Sequence, residues 1–349
     1  AVLGATGAAV GLVAGLGELV GYGLRLVSGL ISDRTGRYWL LTIAGYALNL
    51  LAVPLLALAG SWQAVALLIV AERLGKALRT PARDAMLSHA ASQIGGGRAF
   101  GVHEAMDQTG AVLGPLIVAA VLALRGDYRT AFAVLLIPAV AALAVLIVAR
   151  LAYPHPRDLE VDSTPLQPRN LSRDFWIYQA AVVLIAAGYV DYPLIAFHFE
   201  KMGVTAAVGI PIFYALAMAA DAVSALAFGY WYDRSGFAVL IVPALLSAVF
   251  PALVFLGGST LALAGMVIWG IGMGAQESIM RAAVGQLVAP DRRGAAYGVF
   301  NAGYGLAWFL GSVGLGVLYD RSLPALVAAA TLLPLLSIPF LLRLRRVTR

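Results

Sequence analysis

The chain has 349 residues, of which 61% are hydrophobic and only 12% charged, and its net charge is +6. Soluble domains carry about 25% charged residues, so a water-soluble enzyme is excluded. A disordered chain would need the opposite balance and is excluded too. No cysteine is present, which removes disulfides, iron–sulfur clusters and cysteine-based zinc sites.

One bilayer-spanning helix needs about 20 apolar residues. Apolar runs of helical length lie at 4–31, 38–59, 62–80, 99–124, 130–152, 175–198, 204–231, 237–257, 260–282, 294–318 and 323–342. They do not alternate in polarity as barrel strands do. The expected fold is an all-α membrane protein, a polytopic helical bundle of about eleven transmembrane helices. No basic–apolar–small leader precedes the first run.

Between the fifth and sixth runs lies 153–174, a polar stretch with prolines at 154, 156, 165 and 168, which reads as a linker. The expected organisation is a bundle of five spans over 1–152, a linker over 153–174, and a bundle of six spans over 175–349. Most loop arginines, among them Arg34, Arg37, Arg79, Arg83, Arg150, Arg234, Arg292 and Arg343, fall on one side of these spans. Arg125, Arg129, Lys201 and Arg321 fall on the other. The positive-inside rule makes the rich side cytoplasmic. The linker and the C-terminus are then inside and residue 1 outside. The positive charge is a topology signal rather than a nucleic-acid footprint.

The two halves repeat. Gly29-Leu-Ile-Ser-Asp33-Arg34-Thr-Gly36 returns as Gly229-Tyr-Trp-Tyr-Asp233-Arg234-Ser-Gly236. Arg83 matches Arg281, and Phe100-Gly101 through Gly114 matches Tyr297-Gly298 through Gly311. Parallel repeats of this kind mark two transporter halves related by an axis along the membrane normal.

Gly29 through Arg37 also resembles the Gly-x-Leu-(Ala/Ser)-Asp-Arg-x-Gly-Arg signature of the major facilitator superfamily, which joins that family's second and third helices. The resemblance extends over the whole chain through the paired signatures, the linker and the repeat. It implies a secondary carrier whose two bundles rock about a central site. It also implies that Asp33 meets the start of the helix beginning near Gly294 and latches the cytoplasmic side. Only one span precedes the signature here, so the counterpart of the family's first helix is expected to be missing. Gly110-x-x-x-Gly114-Pro115 resembles half of the family's antiporter element, which favours export. The trailing glycine pair of that element is Val118 and Ala119 here.

Charges at membrane depth are costly and usually face a cavity or a partner. Glu18 and Arg25 share nearly one face of the first span. Glu72, Arg73 and Lys76 stand in the third, with Glu72 and Lys76 four residues apart on one face. Arg73 and Lys76 read as an anion clamp or as members of an ion-pair network. His103, Glu104 and Asp107 stand in the fourth span, where the carboxylates are candidate proton sites or simply partners of the bases on the third. Gly110, Gly114 and Pro115 read as helix-packing positions. In the second half the candidates are Asp191, beside Pro193 in a bendable span, and Asp221 at mid-span. Glu277 and Arg281 form an expected pair four residues apart, and His198, Glu200 and Lys201 read as solvated at the outer boundary.

The expected function is proton-coupled efflux of a small organic compound by alternating access, with Glu18, Glu104, Asp107, Asp191 or Asp221 carrying the proton. Uptake of an anionic metabolite with protons is the alternative. A transport-dead fragment or receptor is a third reading, from a different class. The chain contains no phosphate-binding Gly-Lys-Ser/Thr loop and no zinc spacing among its histidines, so no ATP site, cofactor or metal is expected. The expected partners are the lipid bilayer, protons and a small-molecule substrate, with no nucleic acid, and the expected state is a monomer.

Overall fold

A computed structural model describes residues 6–125, 128–155, 171–206 and 209–344. Residue 1 and most of the linker, 156–170, lie outside the described residues. The helices are α1 (Gly7–Thr35), α2 (Tyr38–Leu55), α3 (Trp62–Ala90), α4 (Gly96–Arg125), α5 (Tyr128–Val134), α6 (Leu136–Ala152) and α7 (Arg173–Gly188). They continue with α8 (Tyr192–Met202), α9 (Gly209–Ser235), α10 (Ile241–Leu256), α11 (Ser259–Leu287), α12 (Arg293–Arg321) and α13 (Leu323–Leu344). No strand occurs among the described residues.

Several starts follow capping chemistry. Thr6, Ser61 and Ser172 each accept an amide of the first turn through the side chain, which satisfies a donor the helix leaves open. Two expected runs are broken. The 130–152 run turns at Leu135 into α5 and α6, and the 175–198 run opens after Gly188 and restarts at Tyr192. Pro193 sits in the first turn of α8, where its missing N–H costs nothing.

Seven stretches are long and apolar enough to cross a membrane by length and composition among the described residues. One of them, Gly209–Leu256, runs for 48 residues, about 72 Å of helix at 1.5 Å per residue. That is more than twice a hydrocarbon core of about 30 Å. It is divided at Gly236, whose φ of 59° is left-handed. Of the remaining long helices, α3 carries Glu72, Arg73, Lys76, Arg79 and Arg83 from its middle turns onward, and those charges dilute its apolar character.

Small residues set the closest contacts. On α1, Gly7, Gly11 and Gly15 recur every four residues and face Gly316, Ser312 and Phe309 of α12. A Cβ at any of the three would collide with that helix, most severely with a backbone carbonyl at Gly11. Backbone approach of this kind is how helices gain packing energy where lipid offers no hydrophobic drive. The aromatic core sits in the second half. Tyr178, Tyr189, Phe250 and Trp269 are buried there, and Tyr178 Oη donates to the Met280 carbonyl at 2.7 Å. By contrast α6 presents Ile137, Val140, Val145, Val148 and Leu151 outward, as a lipid-facing helix would.

Candidate functional site

α1 ends on Asp33. Its Oδ1 accepts the Gly294 N–H at 3.0 Å and its Oδ2 the Ala295 N–H at 2.5 Å. These are opening amides of α12, which have no partner within their own helix, and the partial positive charge there favours an anion. Tyr38 Oη donates to the same Asp33 Oδ1 at 2.8 Å. α9 ends in the same way: Asp233 Oδ1 accepts the Gly97 N–H at 2.6 Å and Oδ2 the Arg98 N–H at 2.8 Å, at the start of α4.

The glycines permit both contacts. A Cβ on Gly29 would run into the Gly294 carbonyl, and one on Gly229 into the Gly97 carbonyl. Gly36 and Gly236 turn the chain away with φ of 65° and 59°, values that cost glycine little. Residues 29–36 and 229–236 therefore occupy equivalent places against α12 and α4. Arg34, Arg37 and Arg234 are exposed, and the Arg234 guanidinium lies 4.0 Å from the Tyr230 ring centre.

Below these seams lies a cavity of about 570 Å³ lined by Ser88, Gly95, Phe100, Asp233, Gly285 and Arg293, among others. Its two charges are already committed, Asp233 to α4 and Arg293 to His89 at 3.3 Å.

The charged residues of the first half converge on a second cavity of about 490 Å³. Arg25 reaches it from α1; Arg73, Lys76, Arg79 and Arg83 from α3; Asp107 from α4. The other half contributes Asp191, Glu277 and Arg281, with Tyr304 and Trp308 of α12. Six basic side chains thus face three acidic ones. Arg83 is held by Asp84 Oδ1 through two bonds of 2.9 and 2.7 Å. Arg281 pairs with Glu277 at 3.4 Å and Glu104 at 3.3 Å.

Arg25, Lys76 and Arg79 have no carboxylate partner among the described residues. Arg25 is 6% exposed, donates to Asn301 Oδ1 at 3.1 Å, and keeps an Nε unbonded among the described residues. Arg79 is 7% exposed, rests on the Tyr46 ring at 4.1 Å, and keeps Nε and one terminal nitrogen unbonded. Lys76 is more open than either.

Behind the cavity stands an acid cluster. Glu104 is fully buried; its Oε1 accepts from Gln108 at 2.8 Å and its Oε2 from Arg281 at 3.3 Å. Asp221 is also fully buried, and neither carboxyl oxygen has a hydrogen-bond partner among the described residues. The His103 ring is half-buried with its Nε2 unbonded. The side chains of Glu18 and Pro115 lie outside the described residues.

Several expectations are corrected. Gly110 and Gly114 are not packing positions, since a Cβ on either would meet nothing within 4 Å. The close α4 contacts fall earlier, at Gly97 and Gly101 against α9. Glu72 does not pair with Lys76; its Oε1 accepts from Asn49 Nδ2 at 2.7 Å on α2. Glu104 pairs with Arg281 rather than with the bases of α3. Arg79 and Arg83 are not loop charges but stand within α3. His198 is not solvated; it is 2% exposed, with Nδ1 3.1 Å from the Tyr319 hydroxyl. Glu200 and Lys201 are exposed as expected.

Residues not singled out in the sequence also reach the site: Tyr22, Asn301, Tyr304 and Trp308. Spacing held a signal for three of them, since Tyr22 precedes Arg25 by three residues and Tyr304 precedes Trp308 by four.

Comparison with known proteins agrees with this geometry. The family model described as Major Facilitator Superfamily matches residues 1–344. The chain belongs to the major facilitator superfamily. As a member it is an integral membrane secondary transporter and not an enzyme. An uncharacterized protein of Mycobacterium tuberculosis is 46% identical over 354 residues, spanning 99% of this chain and 87% of that relative. An uncharacterized superfamily transporter of Methanocaldococcus jannaschii is 28% identical over 328 residues, spanning 90% of this chain and 80% of that one. Among solved structures, the human organic anion transporter TETRAN superposes with a TM-score of 0.75 at 16% identity, covering 95% of this chain and 83% of that one. A proton:xylose symporter gives 0.69 at 15%, covering 94% of this chain and 83% of that one. At such identities the likeness is one of fold.

Proposed function

We propose that this carrier moves a small organic anion, together with protons, through the cavity between α1, α3, α4, α11 and α12. The observation that carries the reading is the trio Arg25, Lys76 and Arg79, which line one cavity without a carboxylate partner among the described residues. Buried cations with no carboxylate bonded to them, as Arg25 and Arg79 are among the described residues, carry a penalty. An anion arriving between them supplies the missing charge and gains charge-assisted hydrogen bonds. TETRAN, an organic anion transporter of similar fold, agrees with this class.

Glu104 is the proposed proton site. It links α4 to Arg281 on α11, across the two halves of the repeat. Protonation of Glu104 would release Arg281 to Glu277 alone and weaken the link between the halves. Asp221, buried without a hydrogen-bond partner among the described residues, is the second candidate. A Cβ at Gly110 or Gly114 would touch no neighbour, so the half-motif that favoured export lends that direction no weight.

The test is flux in proteoliposomes of known orientation, with a panel of organic anions and an imposed proton gradient. Concentrative flux should require the gradient, and Lys76→Ala with Arg79→Ala should abolish it. The side on which the anion accumulates gives the direction. Unaltered anion flux in that double variant would overturn the reading.

A further inference from the structure

The cavity has a second wall made of different chemistry. Tyr22 of α1 and Tyr304 of α12 have ring centres 5.6 Å apart, and Tyr304 and Trp308 have centres 5.5 Å apart with planes inclined by 30°. All three line the same space as Arg25, Lys76 and Arg79. The walls meet at Arg25, whose guanidinium lies 4.0 Å from the Tyr22 ring centre while its NH1 holds Asn301. Trp308 is 7% exposed, yet its indole N–H finds no acceptor among the described residues.

We infer that the transported anion is an aromatic acid, its carboxylate held by Arg25, Lys76 and Arg79 and its ring system laid against Tyr22, Tyr304 and Trp308. This deepens the anion reading above and rests on it. One feature favours a flat body and two a small ligand that carries oxygen. Neighbouring rings at these separations offer offset or edge contacts that a flexible aliphatic chain does not match in geometry. A buried indole N–H without an acceptor is a cost that a ligand oxygen would remove. The cavity, at about 490 Å³, lies within the usual range of roughly 300–1,000 Å³ for a small organic ligand.

The two walls also divide the work. The cations attract any anion over a distance. The rings discriminate at contact, because an aliphatic acid of equal charge loses the stacking while keeping the salt bridges.

The experiment is isothermal titration calorimetry on the purified full chain in detergent, with 2-naphthoate and octanoate as probes. Both are monocarboxylates, so charge is matched and only the body differs. The expected result is binding of 2-naphthoate at least ten times tighter than octanoate. Trp308→Leu and Tyr304→Leu should each narrow that ratio to below threefold, while Lys76→Ala with Arg79→Ala should weaken both ligands together. Equal affinity of the native chain for the two probes overturns the aromatic inference and leaves the anion reading standing. Absence of binding by either probe overturns both. The ratio on native protein decides the matter even where a variant fails to fold.

Discussion

Asp233 Oδ1 accepts the amide of Gly97 at 2.6 Å, across a separation of 136 residues. The contact repeats that of Asp33 with Gly294 at 3.0 Å. In each, a carboxylate ending one long helix neutralises the exposed amides opening another, and a glycine one turn before the acid lets the backbones meet. Two such clamps hold one end of the molecule shut at both seams between the halves of the repeat. A third, Asp320 on the Gly7 and Ala8 amides at 2.9 Å each, ties the opposite end of α1 to α12. No counterpart joins α4 to α9 at that opposite end among the described residues.

Asp233→Asn should loosen the α4–α9 seam. An amide still accepts a hydrogen bond but loses the charge term at the helix terminus, worth about 0.3–1 kcal/mol and up to about 2 kcal/mol when partly buried. The chain has no cysteine, so Ala289→Cys, on the wall of the cavity below the seams, gives a clean reporter. Its modification rate by a polar maleimide should rise several-fold in the Asp233→Asn background. An unchanged rate would mean that Asp233 does not hold the seam closed.

The glycine positions make a paired prediction. Gly97→Ala places a methyl against the Gly229 carbonyl, and overpacking of this kind costs about 1–3 kcal/mol. Gly110→Ala meets open space and should change stability by no more than about 0.5 kcal/mol. Thermal unfolding in detergent should show a lowered midpoint for the first only. Equal loss in both would give Gly110 a packing role after all.

Glu104→Gln should separate binding from coupling. The amide keeps the hydrogen bond from Gln108 but cannot ionise opposite Arg281. Exchange of anion down its own gradient should persist, while accumulation driven by a proton gradient falls at least tenfold. Full accumulation in the variant would move the proton site elsewhere, with Asp221→Asn the next variant to assay.

Tyr178→Phe removes a hydroxyl that donates to the Met280 carbonyl inside the aromatic core. The Met280 carbonyl is then left with its helix bond alone. The expected loss is about 1 kcal/mol, read as a lower unfolding midpoint with unaltered anion affinity. A change in affinity would mean that this core moves with the cavity.

Much of the architecture was written in the one-dimensional pattern. Apolar runs of helical length identify membrane helices because hydrocarbon tolerates only internally bonded backbone. The repeated Gly-x-x-x-Asp-Arg-x-Gly marked two equivalent helix ends, and the family resemblance implied the Asp33 clamp; that Asp233 clamps α4 in the same way came from the structure. The count of crossings was less legible, because the charges of α3 dilute its apolar signal and α9 and α10 run on as one stretch of 48 residues.

Sequence alone placed charges at depth in the membrane and gave the helix faces on which they stand. It could not assign their partners. Helical periodicity specifies a direction around one axis and says nothing about which neighbour lies there. Packing decided that Glu104 meets Arg281, 177 residues away, that Glu72 turns to Asn49, and that His198 is enclosed. Packing also decided that Arg25, Lys76 and Arg79 meet no acid among the described residues and share their cavity with three aromatic rings. A carrier's specificity lies in such unpaired groups, and they arise only where separate helices converge in space.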